Sequence, residues 1–193
     1  MSFLWTRCAP PSHAFASFDE PYSYTPPAGL ALSNYEVDRQ LVRIAAPSDR
    51  EADFDVWSVG PNWIPTCSAP ARTTKFEPTA ATFIDYLRSV PELSVSAATP
   101  MTIGGGSATM VDITTAPGAK GCPGDGVVHL WKEAAMETRL ASGDTERIIA
   151  MDQGDSTLVF EVYGEDLPGW WTDAQAILDT VTFQAAAGAS PAP

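Results

Sequence analysis

With 24 acidic and only 11 basic side chains in 193 residues, the chain carries a formal charge of −13. That balance excludes the basic footprint by which proteins hold nucleic acid or anionic membrane surfaces. No apolar run approaches the ~18 residues of a membrane-spanning helix, and the length suits one domain with a sizeable core. Self-repulsion explains the charge as a solubility device, with a cation-binding surface as the alternative.

Residues 1 to 17 read as an irregular arm around Pro10-Pro11. Tyr22 and Tyr24 alternate with Ser23 and Thr25 as in a half-buried strand, and Pro26 to Gly29 breaks it. A second strand is predicted at 39–44. A third runs from Asp53 to Val59, with Phe54 and Val56 on one face and Trp57 and Val59 on the other.

A helix is predicted over 79–90, with Pro78 at its first position, where a missing N–H is harmless. Ala80, Phe83, Ile84, Leu87 and Val90 form its apolar stripe, and Asp85, Arg88 and Ser89 its wet side. Leu93, Val95 and Ala97 then alternate as a strand. Met101 and Ile103 lead into Gly104-Gly105-Gly106, and a strand returns over 109–114. A phosphate cradle at these glycines would need a following Lys-Ser/Thr or a helix, and a strand follows instead, so they form a hairpin turn.

Val127 to Trp131 reads as a strand, and 133–141 as a strand or edge segment in spite of helical propensity. The clearest hairpin joins 144–152 to 156–163, the second arm nearly continuous in apolar residues as a central strand is. Pro168-Gly169 breaks the chain. Thr172 then caps a helix over 173–180 with Gln175 as capping partner, and 181–183 reads as a short closing strand. The order argues an α+β fold: a mainly antiparallel sheet with helices near 79–90 and 173–180 packed on one face. One domain is expected over 18–184, with a flexible tail over 185–193.

Cys67 and Cys122 each sit in a loop rich in Pro and Gly, away from apolar stripes. A Cys67–Cys122 disulfide fits that placement and an oxidising compartment, and closing a loop of about 55 residues would stabilise by ~4 kcal/mol. Cys8 is left over, as a free thiol or a contact to another chain. The opening MSFLWTRCAPPSHAF has neither a basic n-region nor a long apolar core, so any export signal or anchor is expected outside this chain.

No catalytic motif emerges. The only histidines are His13, in the arm, and His129, in a strand, and neither is placed by the sequence beside a nucleophile and an acid. The run from Asp152 to Thr157 has a superficial calcium-loop look but lacks the spacing and the final Glu, so it reads as a turn. Asp49, Asp53 and Asp55 read as a solvated acidic edge. Neither metal nor cofactor is expected. The six Trp are the residual signal. Trp63, Trp170 and Trp171 fall beside Pro or Gly, where a large rigid ring makes a ligand or partner contact. Trp170-Trp171 is the foremost candidate, because adjacent indoles do not readily face one core.

Four stretches resemble the PsbP-like α/β family, which includes small actinobacterial cell-envelope lipoproteins: YTPPAGL at 24–30, TAATFIDYLRSVPELSV at 79–95, PMTIGGGSATMVDIT at 100–114 and ILDTVTF at 177–183. Leu30 stands where a Trp is commoner in that family. The resemblance implies an exported assembly, partner-binding or ligand-binding module and carries over no catalytic residue. The expectation is therefore a non-catalytic, extracytoplasmic binding domain of a secreted or cell-surface protein, taking a protein or small molecule. Two alternatives stay open. One is a hydrolase using carboxylates, which predicts two convergent acids, one with a raised pKa. The other is a structural subunit whose arm and Cys8 reach a neighbour.

Overall fold

The computed structural model describes residues 13–15, 22–25, 31–37, 39–45, 52–59, 64–65, 77–121, 127–133, 136–154, 156–164 and 167–183. In chain order the strands are β1 (His13–Phe15), β2 (Tyr22–Tyr24), β3 (Ala31–Val37), β4 (Arg39–Ala45), β5 (Ala52–Val59) and β6 (Ile64–Pro65). Helix α1 (Ala80–Ser89) follows, then β7 (Leu93–Val95), β8 (Thr99–Ile103), β9 (Gly106–Thr115), β10 (Val128–Glu133), β11 (Met136–Leu140), β12 (Thr145–Gln153) and β13 (Ser156–Gly164). Helix α2 (Leu167–Leu178) and β14 (Thr182–Phe183) close the chain.

The expected α+β class holds. An antiparallel sheet runs in the order β3-β4-β5-β13-β12-β9-β7, with β8 also paired to β9. Two small sheets, β1-β2-β14 and β11-β10-β6, flank it. β13 lies between β5 and β12, and its apolar run reflects cover on both sides. Leu158, Phe160 and Val162 face α2, together with Phe54, Val56, Ile149 and Met151. Val159 faces α1, together with Trp57, Val59, Ile148 and Ala150. Each helix therefore packs on one face of the sheet, and the two faces are opposite ones. Alternate side chains of one strand point opposite ways, so apolar residues at both parities demand a cover on each side.

The stripe expected on α1 is the buried one: Ala80, Phe83, Ile84 and Leu87 are buried, while Asp85, Arg88 and Ser89 are exposed. Its start differs from expectation. Thr79 is the N-cap, and Pro78 lies before it rather than at the first helical position. The Thr79 hydroxyl accepts from the Thr82 N–H, and the Thr82 hydroxyl accepts from the Thr79 N–H, both at 3.1 Å. The Ala80 N–H donates to Asp152 Oδ1 at 2.5 Å, so a carboxylate on β12 meets the positive end of α1. The Tyr86 hydroxyl donates to the Leu130 carbonyl and ties the helix to β10.

α2 departs further from the sequence reading. Pro168-Gly169 does not break the chain before a helix capped at Thr172; both residues lie in the first turn. Proline is tolerated there because the first N–H groups have no helical partner. Burial of Leu167, Trp170, Ala174, Ile177 and Leu178 holds that turn against the weak propensity of Gly169.

The expected strands at 22–24, 39–44, 53–59, 109–114, 127–131 and 181–183 are present, as is the 144–163 hairpin. The segment 133–141 supplies β11. Gly104 and Gly105 make the β8–β9 turn with φ of 55° and 83°. Three strands were not anticipated: β3, β6, which pairs with β10, and β1 within the segment read as an irregular arm, where His13 pairs with Tyr24 and Phe15 with Tyr22. The tail over 185–193 lies outside the described residues.

A cleft at Trp171 and a buried carboxylate cluster

Near the ends of β9 and β13 and the start of β12, against the first turn of α2, a cleft of about 560 Å³ opens. Its sheet side is formed by Asp112, Thr145, Arg147 and Tyr163, and its helix side by Leu167, Pro168 and Trp171. The turn before β12 adds Gly143 and Asp144.

Arg147 sits opposite Asp112 in the β12–β9 register. Its Nε donates to Asp112 Oδ1 at 2.7 Å and its Nη2 to Oδ2 at 2.9 Å, a forked pair with both carboxylate oxygens engaged. Its Cζ lies 4.3 Å from the centroid of the Trp171 ring. The guanidinium is thus held from two sides, and its side chain keeps 17% of its surface exposed. The Tyr163 side chain, opposite Glu146 in register and so on the other face of the sheet from Arg147, donates its hydroxyl to Asp144 Oδ2 at 3.3 Å. The cleft walls are therefore set by interactions within the protein.

On the opposite, α1 face of the sheet, three acids lie on adjacent strands. Asp55 of β5 pairs directly with Glu161 of β13, and Glu146 of β12 lies one step along on the same face. Glu161 is buried, and its Oε2 accepts from the Trp57 indole at 2.8 Å and the Thr138 hydroxyl at 3.3 Å. Glu146 is 2% exposed. Burial, then the charge of Glu161 and a hydrogen bond to it, then Asp55 and Asp144, push the Glu146 carboxyl well above its ordinary 4.5. Asp55 is therefore no part of a solvated edge: its strand lies between β4 and β13, and its Oδ1 is buried. Asp49, and the side chain of Asp53, lie outside the described residues.

The two adjacent indoles separate as expected for neighbours on a helix. Trp170 is 6% exposed and packs in the α2-side core, so its ring is no part of the cleft wall. Trp171, half-buried, lines the cleft. Trp63, Cys8, Cys67 and Cys122 lie outside the described residues, and so does the disulfide expected of the last two. Asp152, from the calcium-like run, is occupied by the start of α1. Among the described residues no group of three or more His, Cys, Asp or Glu is arranged to hold a metal ion, and no helix is long and apolar enough to cross a membrane.

Sequence reasoning did not single out Asp112, Asp144, Arg147 or Tyr163. The signal for Asp112 and Arg147 was a pairing one: opposite charges in two strands that turn out to be neighbours in register.

No family model matches the chain, and no curated protein matches it. Solved structures similar to it include two proteins. One is LpqN, involved in cell envelope biogenesis of Mycobacterium tuberculosis, at 10% identity and a TM-score of 0.44, over 85% of this chain and 83% of that one. The other is the cyanobacterial PsbP (CyanoP) from Synechocystis sp. PCC 6803, at 7% identity and a TM-score of 0.47, over 95% of this chain and 98% of that one. The PsbP-like resemblance read from the sequence names the same kinds of protein.

Proposed function

We infer that this chain is a non-catalytic, extracytoplasmic domain that binds a ligand or partner through the cleft at Trp171. The observation that carries the reading is the cleft's make-up: a half-buried indole beside apolar Leu167 and Pro168, facing polar groups already fixed in position. Walls set before binding lower the ordering cost of association, and a few convergent polar groups give orientation. Titrating the protein with a fragment collection while following amide resonances tests it. Shifts should cluster at Gly143, Gly164 and Leu167 and should disappear in Trp171→Ala. Shifts confined to other surfaces would sink the assignment. The extracytoplasmic half rests on the loop placement of Cys67 and Cys122. Peptide mapping with and without reductant should find them bonded, and two free thiols in the native protein would remove that support.

One observation favours the carboxylate-hydrolase alternative: Glu146 lies beside Glu161 with its carboxyl pushed up. Both side chains are buried on the α1 face of the sheet, away from Arg147 and Trp171. A hydrolytic site needs its acid and its nucleophile or base to converge on the bond being broken, so the binding reading stands as the conclusion.

A further inference from the structure

We propose that β11 is a pH-released cover, closed over the acids of the α1 face while Glu146 holds a proton and displaced from the sheet when that proton is lost. It concerns the face of the sheet away from Arg147 and Trp171, and stands apart from the binding reading. β11 pairs with β10, outside the main sheet. Val128, Leu130 and Leu140 of that pair pack into the α1-side core, and the Tyr86 hydroxyl donates to the Leu130 carbonyl. Thr138, 4% exposed, donates its hydroxyl to Glu161 Oε2 at 3.3 Å, the same oxygen that accepts from the Trp57 indole at 2.8 Å.

Glu161 is also hydrogen-bonded to Glu146. A hydrogen bond between two carboxyl groups needs a proton, and Glu161, with two donors already on it, is the acceptor of the pair. Glu146 therefore carries the proton. Its Oε2 is buried with no hydrogen-bond partner among the described residues, so nothing there compensates a charge. The groups that face it are acids and a phenol: Glu161 and Tyr163 from β13, Asp55 from β5 and Asp144 from the turn before β12. Ile113 of β9 lies opposite. Asp85 and Arg88 of α1 and Arg139 of β11 are exposed, and Arg147 is bound to Asp112 on the other face.

Loss of the proton places two like charges side by side away from water. β5, β12 and β13 are fixed by ladder bonds along both edges. β11 is tied to the acids through the Thr138 hydroxyl instead, so its displacement is the least costly way to admit water. In the closed form burial and the neighbouring acids hold the Glu146 carboxyl well above its ordinary 4.5, and once hydrated it ionises near that value. Between the two values the open form holds one proton fewer, so opening rises by up to about tenfold per pH unit. Below 4.5 both forms are protonated and pH has no effect.

The Trp57 indole proton, bonded to the same carboxylate oxygen as Thr138, reads the opening. Its solvent exchange is followed by NMR in the full chain from about pH 5 to about pH 9, relative to an exposed indole at each pH. The amides of Ile149 and Phe160, paired in the middle of the sheet, report global unfolding. Indole protection should fall by up to about tenfold per pH unit while those amides keep theirs. Glu146→Gln should flatten the indole profile. Thr138→Val keeps the shape without the hydroxyl, and should lower indole protection at every pH with the slope unchanged. A flat indole profile in the parent would overturn the proposal. Sheet amides losing protection in step with the indole would also overturn it, since β11 would then open only as the whole domain unfolds. A slope that survives in Glu146→Gln would assign the effect to another group and overturn it too.

Discussion

Glu146→Gln is the most direct test of the buried carboxylates. In the folded protein the Glu146 carboxyl sits well above its ordinary 4.5, because burial and the neighbouring Glu161, Asp55 and Asp144 disfavour its charge. In the unfolded chain it ionises near the ordinary value. Between the two values the folded state holds one more proton than the unfolded state, so stability falls as pH rises. For a single group the slope is ~1.4 kcal/mol per pH unit across that window. Below 4.5 both states are protonated and the group contributes nothing to the slope.

A glutamine keeps the shape and the polar tip but cannot ionise. Urea unfolding of both proteins at a series of pH values from about 4 upward gives the comparison, with the m-value checked for constancy. The variant and the parent should be close in stability near pH 4. The variant should then gain by ~1.4 kcal/mol for each pH unit until the folded carboxyl itself ionises, where the gap levels off. Parallel curves at all pH values would refute the reasoning, because they would mean that Glu146 is ionised and compensated in the fold. A variant less stable than the parent throughout would point instead to a packing or hydrogen-bonding role that glutamine cannot fill.

Trp170→Ala should cost ~3–5 kcal/mol in unfolding experiments as a core truncation, whereas Trp171→Ala should cost about 1 kcal/mol, mainly its contact with Arg147, and should abolish cleft binding. Thr79→Ala should lower stability by ~1 kcal/mol through loss of the α1 cap, measurable by the same denaturant titration. Gly104→Ala and Gly105→Ala both place a side chain at positive φ, at ~1–2 kcal/mol each. Gly104→Ala should be the worse of the two, since a Cβ there would lie 2.6 Å from the Phe183 ring and 3.1 Å from the Val181 carbonyl, while the Cβ at Gly105 meets nothing within 4 Å. Equal losses would show that β14 can give way at the turn.

The parts of the fold that were legible are those where one physical pattern acts alone. The stripe of α1 and the alternation of β5 are periodicities that burial alone decides, and the structure buries those residues. The start of α2 was not legible, because local chemistry and tertiary burial disagree there. Pro168-Gly169 reads as a break, yet Leu167 and Trp170 are apolar on the helix's inner face, and their burial prevails. β3 was hidden for a similar reason. Its sequence ALSNYEV has an Asn at its centre, and its role is fixed by pairing with β4, from Ala31 opposite Ala45 to Val37 opposite Arg39. The cleft was legible only at Trp171. Asp112 and Arg147 are 35 positions apart in sequence and become partners only through register. Glu146 and Glu161 of the other face were missed, and Asp55 was read as solvated, because a lone acid in an apolar strand gives no sign of which neighbour it will meet.

The strand that links these two chemistries is β12. Glu146 and Arg147 are consecutive, and a strand sends consecutive side chains to opposite faces. Arg147, exposed enough to keep its charge hydrated, spans to Asp112 and Trp171 at the cleft. Glu146, one position earlier, enters the α1 face, where two further acids leave no favourable place for its charge. A one-residue slip of β12 against β9 and β13 would exchange these positions. It would place a guanidinium among the buried acids and a carboxylate over the Trp171 ring, and would also turn Ile149 and Met151 away from α2. The apolar residues on both faces therefore fix the register, and the register fixes which side of the sheet carries the Trp171 cleft. An insertion of one residue in the turn at Gly143 should leave β12 in place, because the core residues resist the slip, and should reshape the cleft alone. Retained unfolding stability with altered amide shifts at Gly164 and Leu167 is the expected result. Loss of stability as well would show that the turn, rather than the core, sets the register.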